Sequence, residues 1–277
     1  MGEYVNAQKE EIAGLYNRAA PTYGRVGPDV FSHFGRRLVE LIGIINGAQV
    51  LDVAAGRGAN LFPAAEKAGP QGHVTGIDLA EMMVQETTAD INRRGLKNAT
   101  MLQMDAEDLT FPDASFDYVL CGFAIFFFPR LDRALAEFYR VLRPGGRLGI
   151  TIARYTDECS RRYEELLVEY HKRYQFQVSP GGGGFRNSSE LQVFLSNTGF
   201  VDIQVITEDA EFIYTDEQEW WGSKWTHGPR YSLERMQPEV LDSFKSEAFA
   251  MVEPLKQPDG IHERWQPSYI IGTKPGE

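Results

Sequence analysis

Apolar residues along the first half of this chain bunch into short runs, each closed by a glycine or an acid. Val50, Leu51 and Val53 make the first run, which breaks at Gly56-x-Gly58. A helix-compatible stretch over 59–68 follows, with Pro63 in or near its first turn, where a missing N–H costs little. Residues 73–78 repeat the pattern and end in Asp78, and a helical stretch over 80–94 is closed by Gly95. A third run, 100–104, ends at Asp105. The fourth, 116–123, is nearly continuous in apolar residues, as expected of a strand covered on both faces. Leu131, Leu135, Phe138 and Leu142 then recur at helical spacing and stop at Pro144-Gly145-Gly146, before a fifth run at 148–153. Strands alternating with helices in this way predict an α/β fold built on a doubly wound, mostly parallel sheet. Runs at 201–207 and 268–273 bring the expected strand number to seven, the last pairing back as an antiparallel edge.

The flanks divide the chain. Residues 1–48 form an expected N-terminal helical lid, with a short helix at 10–18 ended by Pro21. A second helix, 28–45, carries Phe31, Phe34, Leu38, Leu41 and Ile45 at spacings of three and four. Tyr16 and Tyr23 either line a site from this lid or pack its first helix. Residues 49–155 form the core, and 156–187 an insertion with a helix at 159–174 and a loop at the glycine run 181–184. Residues 188–209 continue the core. Residues 210–266 hold all four tryptophans and read as an aromatic cap, with the last strand and a tail over 267–277.

Composition narrows the function. A net charge of −11 argues against a nucleic-acid partner, which calls for clustered Lys and Arg. Two cysteines, Cys121 and Cys159, make no disulfide framework and suit a reducing cytoplasmic compartment. No apolar run reaches membrane-spanning length, and the N-terminus is polar rather than signal-like. No Cys, His and acid spacing suggests a metal site.

The polar residues at the strand ends carry the chemistry. Gly56, Gly58, Asp78 and Asp105 lie on one edge of a parallel sheet and so converge on one ligand. Asp78, twenty residues after Gly58, suits the two ribose hydroxyls of an adenosine. Asp105 and Ala106 suit the adenine edge, with Leu79 or Met83 over the ring. Asp52, inside the first strand, orients the glycine loop or reaches a ligand ammonium group.

Leu51-Asp-Val-Ala-Ala-Gly-Arg-Gly58, Gly76-Ile-Asp78, Met104-Asp-Ala106, Phe116-Asp-Tyr-Val119 and Leu142-Arg-Pro-Gly-Gly-Arg-Leu148 together resemble the motifs of class I S-adenosylmethionine-dependent methyltransferases, in order and at the expected spacing. Ala54 stands where the family usually has its first glycine. The ubiquinone/menaquinone-biosynthesis branch accepts alanine there, and the segment Tyr16–Tyr23 resembles that branch's N-terminus. The resemblance implies S-adenosylmethionine as cofactor and S-adenosylhomocysteine as product. It also implies a cofactor set of Tyr16, Tyr23, Asp52, Ala54, Gly56, Gly58, Asp78, Leu79, Met83, Asp105 and Ala106, completed by Cys121 near the end of the fourth strand and Phe126 after it. The resemblance fades beyond residue 200.

The acceptor is less defined. Cys121-Gly-Phe-Ala124 replaces the Asn/Asp-Pro-Pro-aromatic turn of enzymes that methylate nucleic-acid amines. Phe126, Phe127 and Phe128, with Trp220, Trp221, Trp225 and Tyr231, fit a cap over a small apolar, aromatic, polyketide or isoprenoid acceptor. They equally fit the core of a helical cap, and such caps also serve as dimer surfaces in homo-oligomers. His227 is the first candidate for a general base, and Tyr23 and Tyr231 are candidates for orienting a hydroxyl. The expected reaction is methyl transfer to an oxygen or carbon by in-line displacement. Two alternatives stand beside it: a cyclase of the same fold that binds the cofactor without net transfer, and a nicotinamide-dependent oxidoreductase.

Overall fold

The computed structural model describes residues 2–176 and 187–276, and the glycine run at 181–184 lies outside them. The chain begins with α1 (Gly2–Ala19) and α2 (Val30–Ile42), then alternates through β1 (Gln49–Val53), α3 (Leu61–Ala68), β2 (His73–Asp78), α4 (Glu81–Arg93), β3 (Ala99–Gln103), β4 (Phe116–Gly122), α5 (Leu131–Val141) and β5 (Leu142–Tyr155). It continues with α6 (Glu158–Tyr174), α7 (Ser188–Thr198), β6 (Val201–Thr207) and β7 (Ala210–Tyr214), then α8 (Glu217–Lys224), α9 (Arg230–Leu233), α10 (Pro238–Val252) and β8 (Ile261–Thr273). The sheet has eight strands in the order β3-β2-β1-β4-β5-β8-β6, with β7 also paired to β8. The first five strands run parallel, and β8 lies antiparallel to β5, β6 and β7. The order reverses between β1 and β4, which opens a crevice at the carboxyl ends of the strands.

Successive residues of a strand face opposite sides, so each core strand feeds two cores. Val50 and Leu120 join Phe34, Leu38 and Ile42 of α2 on one face. Leu51 and Val119 join Leu135 and Phe138 of α5 on the other. Both faces are covered by apolar side chains, which is why these strands read as largely apolar runs.

Several boundaries differ from expectation. The first helix extends over Gly2–Ala19 rather than 10–18. The second stops at Ile42 because Gly43 turns left-handed (φ 72°), which leaves Ile45 64% exposed. Pro144-Gly145-Gly146 does not end a helix before a short strand. It is an irregularity within β5, where the register with β4 slips between Phe116 and Tyr118 and the Gly145 amide donates to the Lys274 carbonyl (2.9 Å). The last strand starts at Ile261, not 268, and its first half pairs with β7, a strand beyond the seven expected. Alternate burial runs through Ile261, Glu263 and Trp265, but a buried acid interrupts the apolar signal.

Residues of the expected insertion and of the expected aromatic cap pack together. Cys159, Tyr163 and Tyr170 of α6 share one core with Trp220, Trp221, Phe244 and Ala248. At its centre Glu263, fully buried, accepts from Trp220 Nε1 (2.7 Å), from the Tyr214 hydroxyl (3.1 Å) and from Lys224. The Lys224 ammonium also lies 4.9 Å from the Trp220 ring centre and 5.6 Å from those of Tyr163 and Tyr214. Among the described residues no helix is long and apolar enough to cross a membrane.

Candidate active site

The carboxyl ends of β1 to β4 open onto one cleft, closed from above by α1 and the turn after it. Beyond β1 the chain turns at Ala54, whose φ of 51° is left-handed and is tolerated far better by glycine. Asp78 is the last residue of β2. Its Oδ2 accepts from the Gly56 amide (2.9 Å) and its Oδ1 from the Ala80 amide (2.9 Å), so one carboxylate holds both the β1 loop and the start of α4. Burial pushes its pKa up to about 6, against the pull of those amides.

Lid, core and cap are fastened together. Lys9 Nζ donates to Asp105 (2.7 Å) and to the buried Glu107. Asn17 Oδ1 accepts from the Met82 amide (2.9 Å), which satisfies a first-turn donor of α4 from outside that helix. Arg57, between the two loop glycines, donates to the Ala20 carbonyl (2.8 Å), Glu86 (2.7 Å) and Asp90 (2.6 Å). On the cap side Arg18 donates to both oxygens of Glu234 (3.1 and 3.0 Å), and Arg235 donates to Glu11 (2.6 Å). Tyr16 meets Phe127 edge-on at 5.6 Å and Tyr23 at 6.1 Å. Burial and the nearby Asp78 charge raise both phenols, which stay protonated.

Nine residues expected to bind the cofactor line this cleft: Tyr16, Tyr23, Ala54, Gly56, Asp78, Leu79, Met83, Asp105 and Ala106. Four do not. Asp52 is fully buried in β1, where its Oδ1 accepts from the Asn60 side-chain amide (2.9 Å); it steadies the loop rather than facing a ligand. Gly58 makes the turn into α3 at φ 80°, and a Cβ there would stand 2.5 Å from the Phe62 ring. Cys121 points into the α5 side of the sheet, and burial raises its thiol pKa. Phe126 packs towards that same core, while Phe127 and Phe128 face the cleft.

Of the candidate catalytic residues only Tyr23 lines the cleft. Tyr231 is a fastener: its hydroxyl donates to Glu11 (2.5 Å), and the Arg235 guanidinium lies 3.5 Å from its ring centre. His227 lies behind the cleft wall, against Phe31 (5.6 Å between ring centres). Burial, and secondarily the Lys224 charge, push its pKa down to about 3, so the imidazole is neutral. Sequence reasoning missed Lys9, Ile12, Met104 and Phe123, all in the lining. Met104 and Phe123 lie inside the stretches Met104–Ala106 and Cys121–Ala124 without having been singled out, whereas Lys9 and Ile12 carry no local signal.

Residues 50–146 match the family of methyltransferase domains. The aklanonic acid methyltransferase DauC of Streptomyces sp. (strain C5) is 41% identical over 146 residues, which cover 53% of this chain and 66% of that protein. The nocamycin O-methyltransferase of Saccharothrix syringae is 32% identical over 242 residues, covering 81% of this chain and 85% of its own. Among solved structures, YcgJ of Bacillus subtilis superposes with a TM-score of 0.60 at 23% identity, covering 88% of this chain and all of its own, a likeness of fold.

Proposed function

Because the chain belongs to the class I S-adenosylmethionine-dependent methyltransferases, we propose that it methylates an oxygen of a small, largely apolar, polyketide-type acceptor. That membership sets aside the nicotinamide-dependent oxidoreductase. The observation that carries the acceptor class is the cleft wall beneath the lid. It is built from Tyr16, Tyr23, Phe123, Phe127 and Phe128, and Lys9, the cation among the described lining residues, is tied to Asp105 and Glu107. The O-methyltransferase relative supports oxygen as the target.

The residues present fit the cofactor. Asp78 keeps lone pairs free beside its two backbone donors and takes the ribose hydroxyls. Leu79 and Met83 cover the adenine ring, Asp105 and Ala106 meet its edge, and Gly56 lets the main chain approach. When bound, S-adenosylmethionine supplies a methyl group made electrophilic by its sulfonium. The chain supplies positioning: the lid and the aromatic wall exclude water and hold the acceptor, which accounts for much of the acceleration in such a displacement. The ring faces of Tyr16 and Tyr23 favour positive charge beside them.

Incubation with S-adenosylmethionine and a panel of hydroxylated aromatic polyketides and quinones tests this. The expected product gains the mass of one methyl group and forms in step with S-adenosylhomocysteine. An altered product of unchanged mass, with the cofactor intact, would establish the cyclase alternative instead.

Cofactor affinity should depend on pH through Asp78. Its pKa is raised to about 6 in the free cleft, and the ionised form is the one that accepts from ribose while holding Gly56 and Ala80. Below about pH 6 binding must first expel a proton. Titration calorimetry with S-adenosylhomocysteine should therefore show a plateau above that pH and about a tenfold loss of affinity per unit below it.

A further inference from the structure

Of the seven buried polar side-chain atoms that have no hydrogen-bond partner among the described residues, two, His227 Nε2 and Trp265 Nε1, lie together behind one wall of the cofactor cleft. Leaving such a group unpaired costs about 1–3 kcal/mol, and folds retain few of them without a use. Both side chains pack on one ring, that of Phe31, with centres 5.6 Å (His227) and 6.4 Å (Trp265) away. The same ring stacks on Tyr23 at 5.0 Å and meets Phe123 edge-on at 5.5 Å. Tyr23 and Phe123 are walls of the cofactor cleft. Phe31, itself half-buried in the first turn of α2, is thus a one-ring partition between the cleft and the two unpaired atoms.

The hydrogen-bond network fixes what His227 offers. The Thr226 hydroxyl donates to the Ser223 carbonyl (2.7 Å), so at 3.2 Å from His227 Nδ1 its oxygen is left to accept. Nδ1 carries the proton, and Nε2 presents a bare lone pair. The group that satisfies it is a donor: a neutral O–H, whereas a carboxylate would oppose lone pair to lone pair. An imidazole kept neutral by burial and by Lys224 preserves this preference across the working pH range.

We infer that the acceptor takes the place of the Phe31 ring between Tyr23 and Phe123, and that a phenolic or enolic hydroxyl on it donates to His227 Nε2, making His227 a specificity-determining residue. The inference rests on the methyltransferase reading and deepens it. The Phe31 ring swings aside about its χ1, and the acceptor ring inherits its aromatic neighbours.

The test compares 1-naphthol with 1-methoxynaphthalene, alike in ring and different in the O–H, by calorimetry on the complex with S-adenosylhomocysteine. The wild type should prefer 1-naphthol by about five- to tenfold, one hydrogen bond's worth. His227→Phe should abolish the preference. His227→Gln, whose Oε1 can stand in for Nε2, should keep it, and neither should change S-adenosylhomocysteine affinity. Phe31→Ala should bind both probes more tightly. A preference that survives in His227→Phe, a wild type that does not discriminate, or a wild-type complex that binds neither probe would each overturn the inference. Failure of the wild type to bind S-adenosylhomocysteine would instead overturn the function on which it rests.

Discussion

Replacing Asp78 by alanine is expected to weaken S-adenosylhomocysteine binding by roughly 100- to 10,000-fold. Two hydrogen bonds from ribose to a carboxylate are worth about 1.5–3 kcal/mol each, and each 1.4 kcal/mol is about tenfold in affinity. The loss is compounded because the carboxylate also anchors the Gly56 and Ala80 amides, so the mutant surrenders the shape of the loop along with the contact. Asp78→Asn should fall between, since its amide keeps one acceptor oxygen but turns an NH2 towards a backbone donor. Calorimetry reads both variants, and turnover should fall with binding. An alanine variant within fivefold of the wild type would remove Asp78 from the site.

Glu263→Gln should be strongly destabilising although Glu263 does not line the cleft. The glutamate is fully buried and is the counter-charge of a lysine only 4% exposed. Breaking such a pair on one side costs about 3–5 kcal/mol, because a charge is left without a partner in an apolar interior. The surrounding rings soften the loss through their faces but do not replace a carboxylate. For a chain of this size that corresponds to a fall in melting temperature of about 10 °C. Adding Lys224→Met should recover most of it, since replacing both charges avoids the stranded ion. Differential scanning calorimetry of the single and double variants decides this, and equal melting temperatures for wild type and Glu263→Gln would contradict it.

The core was legible in the sequence because its signals are local. Asp78 closes an apolar run, and Gly56 breaks one, at offsets that a parallel sheet brings to a single edge. Ala54 was legible as a departure, and its left-handed φ gives the reason a glycine usually stands there. Asp52 in β1 and Gly58 in the loop after it both support that loop without lining the cleft, and sequence spacing does not distinguish a residue that shapes a loop from one that touches the ligand. The cap was harder to read. Its central residue is an acid in a strand, Glu263, whose partners Trp220, Lys224 and Tyr214 lie about forty to fifty positions away. Helical and strand periodicities carry no trace of a buried polar centre assembled at that range. The same limit hid Lys9, whose place over the cleft is set by Asp105 and Glu107 in a different layer of the fold.

Helix α1 is bolted at Lys9 and Asn17 to the sheet side and at Glu11 and Arg18 to the cap, so a departing product must undo ionic contacts on one flank at least. The two flanks differ in their exposure to solvent: the Lys9 side chain is 11% exposed and that of Arg18 is 49%. Dissolved salt should therefore weaken the Arg18 contact more than the Lys9 contact, and the rate at which the cleft empties should follow it. Stopped-flow release of S-adenosylhomocysteine should quicken as salt rises, with the equilibrium fold unchanged, because screening loosens the Arg18–Glu234 contact before it reaches the Lys9–Asp105 pair. A bond network that strengthens the closed cleft would in this way also set the pace at which the enzyme empties.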